Sequence, residues 1–417
     1  MILTLINAFK LPDLRKRILF VLGMFAVFIF GMHIQVPGVN REAMERLFGQ
    51  GGLLGMIDVF TGGALRKFSI FAMGITPYIN ASIMMSLLTV VIPQLEQLQK
   101  EGETGRKVIA KYTRYLTIAL SLFQAAGMTI WLRNIEIFAK VDIFQHLKVI
   151  ITLTAGTAFL MWMGEIITTQ GIGNGVSLII FAGIVARMPY DVRQTIELYH
   201  AGRFGLFNIF LLIVIAVCII TGIIFIQQAE RKIPIQYAKR VVGRKIYGGQ
   251  STYLPLKVNS AGVIPIIFAI SILLFPATIA QFVPSLGNWA QGFTGTWYYH
   301  LIYAILVIVF TYFYTAIIFN PVEIAENLRK YGGFIPGIRP GKPTAEYLDR
   351  ILTRITLIGA LFLAFIAVIP TYIIRITNIP TFYLGGTSLL IVVGVALETV
   401  QQLEAQMLMR HYEGFIR

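Results

Sequence analysis

The side chains that could do chemistry in this 417-residue chain are few, and most stand where little chemistry is possible. Five histidines, His33, His146, His200, His300 and His411, are scattered, with no HExxH pair to hold a zinc ion on one helix face. Cys218 is the single cysteine and lies inside an apolar run, so neither a disulfide framework nor a metal spacing is present. GIGNG at 171–175 could suggest a phosphate loop, yet no strand precedes it and no Lys-Ser/Thr follows, which leaves a tight turn. Glu165 and Glu398 stand near the ends of apolar runs, and no acid or base stands mid-run, where a proton-coupled pump would carry one. Nothing here assembles a nucleophile, a metal centre or a cofactor site.

The chemistry that remains is basic. Residues 332–343 read GGFIPGIRPGKP. Pro336 and Pro340 fix the local backbone and withhold two N–H donors, while Gly337 and Gly341 permit sharp turns. Arg339 is thereby carried on a stiff tip beside Lys342, with Arg329 and Lys330 close by. A charge that only orients the chain in a membrane needs no rigid mount. A preorganised cation suits the carboxylates or phosphates of a partner. A second segment, 228–257, carries seven basic residues.

The elements that must position these residues are apolar. The chain is 56% hydrophobic and 13% charged, against about a quarter charged in a soluble domain. Uncharged runs of 18 or more residues recur, the pattern of transmembrane helices. Ten spans are predicted near 18–36, 69–93, 115–132, 149–169, 172–186, 204–226, 259–282, 299–319, 355–374 and 384–398. The first follows Arg15, Lys16 and Arg17 as a signal peptide would, but its length and the lack of a cleavage site make it a retained span. The fifth is short, and charge decides it. With ten spans and the N-terminus inside, 24 Lys and Arg fall on the inner side and 11 on the outer. Without the fifth span the split is 13 to 22, against the positive-inside rule.

The expected fold is therefore an all-α polytopic membrane protein. Its ten transmembrane helices form two inverted five-helix halves, 1–186 and 204–417, joined by an external hinge at 187–203, with both termini cytoplasmic. One apolar run does not fit a span: LLGMIDVF (53–60), closed by Thr61-Gly62-Gly63, is far short of the ~20 residues needed to cross. It must be interfacial, re-entrant or folded into a cavity. Ile75 and Ile79 share a helix face, as do Val176 and Ile180, a spacing ordinary in packing. On the residues alone a small-solute transporter stands ahead of a protein channel, with a membrane enzyme third. Against the transporter, its coupling groups are missing from mid-span.

Four longer segments alter that order. FTGGALRKFSIFAMGITPYINASI (60–83), YAKRVVGRKIYGGQSTYLPLKVNSAGVIP (237–265), IIFNPVEIAENLRKYGGFIPGIRPGKPTAEYLDR (317–350) and FYLGGTSLLIVV (382–393) resemble the SecY family, the pore subunit of the bacterial Sec translocon. The resemblance runs from the first span to the tenth. It implies an hourglass channel in the cytoplasmic (inner) membrane that passes unfolded polypeptides, with no enzymatic activity and no cofactor.

By the same resemblance the waist is a ring of Ile75, Ile79, Val176, Ile180, Ile267 and Ile391. A re-entrant plug comprises Leu53, Leu54, Met56, Ile57, Asp58, Val59, Phe60, Thr61, Gly62 and Gly63. A lateral gate between spans two, seven and eight releases apolar segments to lipid, with Ser82, Ser86, Gln124 and Ser271 along its seam. Arg240, Arg244, Lys245, Arg339 and Lys342 are implied to dock the ATPase SecA and the phosphates of ribosomal RNA. Small subunits SecE and SecG, signal sequences and nascent preproteins are the other implied partners. An apolar constriction can dewet against ions while offering no strong site to hold any particular passing side chain.

Overall fold

Apolar runs become helices here because a lipid-facing backbone must satisfy its own N–H and C=O groups. The computed structural model describes residues 9–39, 44, 58, 61–134, 143–237, 240–242, 245–247, 251–280, 296–377, 379 and 386–413. Twelve helices are named: α1 (Pro12–Gly31), α2 (Thr76–Val91), α3 (Pro93–Lys100), α4 (Glu103–Asn134), α5 (Ile143–Gln170), α6 (Gly175–His200), α7 (Leu206–Gln228), α8 (Ile264–Ala280), α9 (Trp297–Ile318), α10 (Pro321–Lys330), α11 (Lys342–Thr377) and α12 (Gly386–Glu413). Each predicted span overlaps one of them. Among the described residues six helices are long and apolar enough to cross a membrane, or seven if the bent pair α2–α3 is one span.

The helix ends follow from local chemistry. Asn174 caps α6 by accepting the N–H groups of Val176 and Ser177, and Asn320 caps α10 through Val322 and Glu323. Proline occupies the first turn of α1, α2, α3 and α10, where its missing N–H is not needed. Pro93 also ends α2, and the chain turns by 100° into α3.

The span predicted from residue 69 begins as a helix only at Thr76. Residues 69–75 form turns instead, because their backbone is engaged elsewhere: Ile70 N–H donates to the Ile34 carbonyl and Val36 N–H to that of Phe68, both at 3.0 Å. This segment is clamped between α1 and α5. A Cβ on Gly31 would collide with the Phe71 ring, and one on Gly156 with the Ile70 carbonyl. Phe71 stacks between Phe28 and Phe159, with ring centroids 6.0 and 5.9 Å apart.

Two further expectations are corrected. The stretch 187–203 is not a loop, since α6 continues to His200. Its charges pair along the helix, Arg187 with Asp191 at 3.2 Å and Arg193 with Glu197 at 3.0 Å, so leaving the apolar run does not end the helix.

Nor is the fold all-α. Strands β1 (Glu230–Tyr237), β2 (Arg240–Val242), β3 (Lys245–Tyr247), β4 (Ser251–Lys257) and β5 (Gly333–Phe334) form a three-stranded sheet in the order β4-β1-β5 and a β2-β3 hairpin. The reason lies in period-two patterns. Ile233 and Ile235 of ERKIPIQY and Leu256 of STYLPLK are buried, with exposed neighbours on the other face. Pro234 opposes Tyr253 and Pro255 opposes Lys232. Both prolines fall on one parity of the antiparallel ladder, where the N–H would point away from the partner strand.

One apolar cluster holds the helices together, with buried residues from α1, α2, α5, α6, α7, α8, α9, α11 and α12. A second, including Leu65, Phe68, Ala72, Leu132, Val149 and Leu153, fixes the turns before α2 against α4 and α5. A third joins Ile233 and Leu256 of the sheet to Ile335, Leu348 and Leu352.

Candidate functional site

Four helices supply the predicted waist. Ile75 precedes the first residue of α2, but the Ile79 N–H donates to its carbonyl at 3.1 Å, so the two remain one turn apart. Val176 and Ile180 follow the Asn174 cap on α6, Ile267 lies in the first turn of α8, and Ile391 lies in α12. All six belong to the main apolar cluster: Ile75, Ile180 and Ile391 are buried, and Ile79, Val176 and Ile267 pack against it half-buried. Side chains of this kind hold no water tightly and offer an ion nothing to replace its hydration shell.

The predicted seam residues stand on three mutually packed helices: Ser82 and Ser86 on α2, Gln124 on α4, Ser271 on α8. Ser271 is buried and the other three are half-buried. The Ser86 hydroxyl donates to the Ser82 carbonyl at 2.8 Å, which uses its proton within its own helix.

Of the predicted plug, Leu53, Leu54, Met56, Ile57, Val59 and Phe60 lie outside the described residues. Asp58, Thr61, Gly62 and Gly63 are described, and they form a tight knot. The Asp58 carbonyl accepts from Gly63 N–H at 3.0 Å and from the Thr61 hydroxyl at 3.2 Å, while Thr61 Oγ1 accepts from Leu65 N–H at 3.3 Å. Gly62 has φ +68°, and a Cβ there would sit 2.7 Å from Gly183 Cα and the Gly183 carbonyl. Only glycine lets this turn lie flat on the α6 backbone.

One turn further along α6 is a residue that the sequence analysis placed only in the hinge. Arg187 Nη1 donates to Asp58 Oδ2 at 3.2 Å, and its Nε to Asp191 Oδ1 at 3.2 Å. The three side chains are 12%, 4% and 5% exposed. Asp58 Oδ1 also accepts the Arg66 N–H at 3.0 Å. Burial pushes the Asp58 carboxyl above its usual range, and the Arg187 guanidinium opposes that shift. A signal for this cluster was present: Gly183, Arg187 and Asp191 recur every four residues, so they share a helix face.

The basic tip is braced rather than loose. β5 pairs with the end of β1, Gln236 opposite Phe334 and Tyr237 opposite Gly333, which ties the two basic segments into one body. Ile338 N–H donates to Ile335 O at 3.1 Å to close the first turn of the elbow. Gly337 and Gly341 take φ of +81° and +104°. The Thr344 hydroxyl holds the Arg339 carbonyl at 2.8 Å, and Gly341 O accepts from the Thr344 and Ala345 N–H groups as α11 begins. Arg339 and Lys342 are exposed. Arg240 and Lys245 stand in β2 and β3, where Val242 opposes Lys245 and Arg240 opposes Tyr247. Arg244 lies outside the described residues.

Comparison with known proteins bears on this arrangement. A family model described as SecY matches residues 69–400. The chain is 50% identical over 424 residues to the protein translocase subunit SecY of Thermotoga maritima, covering 99% of this chain and 97% of that one. It is 47% identical over 435 residues to the same subunit of Streptomyces scabiei, covering 99% of both. Among solved structures, a protein-conducting channel aligns with TM-score 0.66 at 18% identity over 94% of this chain and 92% of that one. Sec61 in a canine ribosome-channel complex from the endoplasmic reticulum aligns with TM-score 0.56 at 15% identity over the same shares. At such identities the structures speak to the fold, while the match over nearly the whole sequence speaks to descent: the chain belongs to the SecY family.

Proposed function

We propose that this protein is the pore-forming subunit of a protein-conducting channel, without enzymatic activity of its own. The observation that supports the reading is that Ile75 just before α2, Ile79 of α2, Val176 and Ile180 of α6, Ile267 of α8 and Ile391 of α12 all belong to or pack against one apolar cluster. A ring of branched aliphatics can close loosely on an extended chain of any sequence and still exclude ions. The plug closes the wider mouth on the Arg187 side, and α2, α8 and α9 form the gate through which apolar segments leave for lipid.

In the same reading ten helices cross the membrane in two inverted halves, and both termini and the β-braced tip are cytoplasmic. Helix α2 needs only its 16 residues because a pore-lining helix does not face lipid all round. The tip carrying Arg240, Arg244, Lys245, Arg339 and Lys342 docks a translocation motor of the SecA type by its carboxylates and a ribosome by its RNA phosphates. SecE- and SecG-type small subunits cover the lipid-facing helices.

The test is crosslinking of a stalled secretory chain, in proteoliposomes of the assembled translocase. Cysteines replace Ile75 or Ile391 in a background with Cys218→Ser. Adducts at both positions are expected, and none at the exposed Phe225 of α7. Translocation with no adduct at either ring position would refute the waist, and solute uptake without polypeptide passage would identify a transporter instead.

A further inference from the structure

The buried charges midway along α6 have no place in a scheme of apolar ring and basic tip. Arg187 is 12% exposed and lies between Asp58, 129 residues away in sequence, and Asp191 on its own helix. A second cation bridges the same two elements, with the Arg66 guanidinium 4.6 Å from the centre of the Tyr190 ring. Gly62 seats the intervening turn against Gly183. Along one face α6 therefore presents Val176 and Ile180 to the waist, then Gly183 and Arg187 to the segment that closes it.

We propose that Arg187 is a positioning residue that latches the plug shut, with Asp58 as the plug's half of the latch and Asp191 as the group that keeps the guanidinium aimed when the plug leaves. This rests on the channel reading above and adds what sets the resting seal. Shut, the Asp58–Arg187 pair is out of water, where removing one partner strands a buried charge. Opened, both groups face water, so the plug-side contact is exchanged for hydration. Arg187 keeps Asp191, so opening never leaves a bare cation against the helix. Asp58 keeps the Arg66 N–H, and so arrives preformed for reseating. Arg66 and Tyr190 hold the base of the plug to the same face through both states.

The experiment measures resting ion conductance of the assembled translocase in planar bilayers, alongside preprotein translocation by the same preparations. Arg187→Gln and Asp58→Asn are each expected to raise resting conductance by about tenfold, and the double variant by no more than the larger single. Arg187→Lys, which keeps the charge, should restore most of the seal. Asp191→Asn should leave conductance at or below the wild-type level, because it frees Arg187 for Asp58.

Wild-type conductance in both single variants would overturn the latch. So would effects of the two that multiply in the double, or a rise in Asp191→Asn equal to that of Arg187→Gln. Each of those results with normal translocation by the wild type leaves the channel itself standing. A wild type that moves no preprotein refutes the channel instead.

Discussion

Arg187 and Arg339 have the same side chain and opposite circumstances. Midway along α6 the guanidinium is buried between two carboxylates, each at 3.2 Å. On the elbow it is exposed, and no ion pair among the described residues involves it. A buried cation must find its partners within the chain or destabilise the fold. An exposed one on a fixed backbone keeps its donors for a second molecule, and the fixed backbone lowers the entropy lost when that molecule arrives. Rigidity thus serves two ends. At α6 it closes the protein on itself, and at the elbow it leaves a contact open.

The comparison breaks most visibly at the elbow. Arg339→Glu should lower motor-driven translocation by about a hundredfold, since in the proposed docking it would remove a central contact and set like charges against each other. Membrane insertion and the thermal midpoint of the purified complex should stay unchanged, because the exposed side chain enters no ion pair among the described residues. Normal translocation by this variant in proteoliposomes would show the elbow to be a charged loop and no more.

A smaller effect should separate the proposed seal from the proposed docking tip. Ile79→Asn places an amide in the apolar ring and should raise resting conductance about tenfold, with motor affinity for the tip unaltered. Conductance at the wild-type level would remove Ile79 from the waist. Smallest is Thr344→Val, which deletes the hydroxyl that holds the Arg339 carbonyl. A net hydrogen bond of about 1 kcal/mol predicts a loss of about fivefold in docking affinity, measured by binding of the motor to reconstituted vesicles. An unchanged affinity would mean the two glycine turns suffice to hold the tip.

The ten apolar runs were legible because hydropathy acts over neighbouring residues; the caps Asn174 and Asn320 are equally local signals that the sequence reading passed over. The elbow was legible for the same reason, its two prolines and two glycines being local instructions. The sheet could have been read too, since Ile233, Ile235 and Leu256 alternate with polar or proline neighbours. A basic segment between spans drew attention to charge instead of period. The continuation of α6 through Arg187 to His200 was hidden because hydropathy stops at the first charge, whereas a helix continues wherever charges find partners four residues away. The predicted waist had the weakest signal of all. Ile75 and Val176 differ in no local respect from dozens of packing aliphatics, and only the resemblance singled them out.

What the sequence determined by itself was where the apolar helices and the glycine-proline elbow lie, since these depend on residues within a turn or two of one another; it determined neither the start of α2, nor the length of α6, nor the strands. What the tertiary structure decided was convergence. It gathered aliphatics of many separate helices, the predicted ring positions among them, into one cluster. It joined β1 to β5 across some hundred residues of chain. It set Asp58 beside Arg187 at a separation of 129. Pairings at that distance depend on how whole helices pack. Packing follows from shape and burial summed over the molecule, and no local window of residues contains that sum.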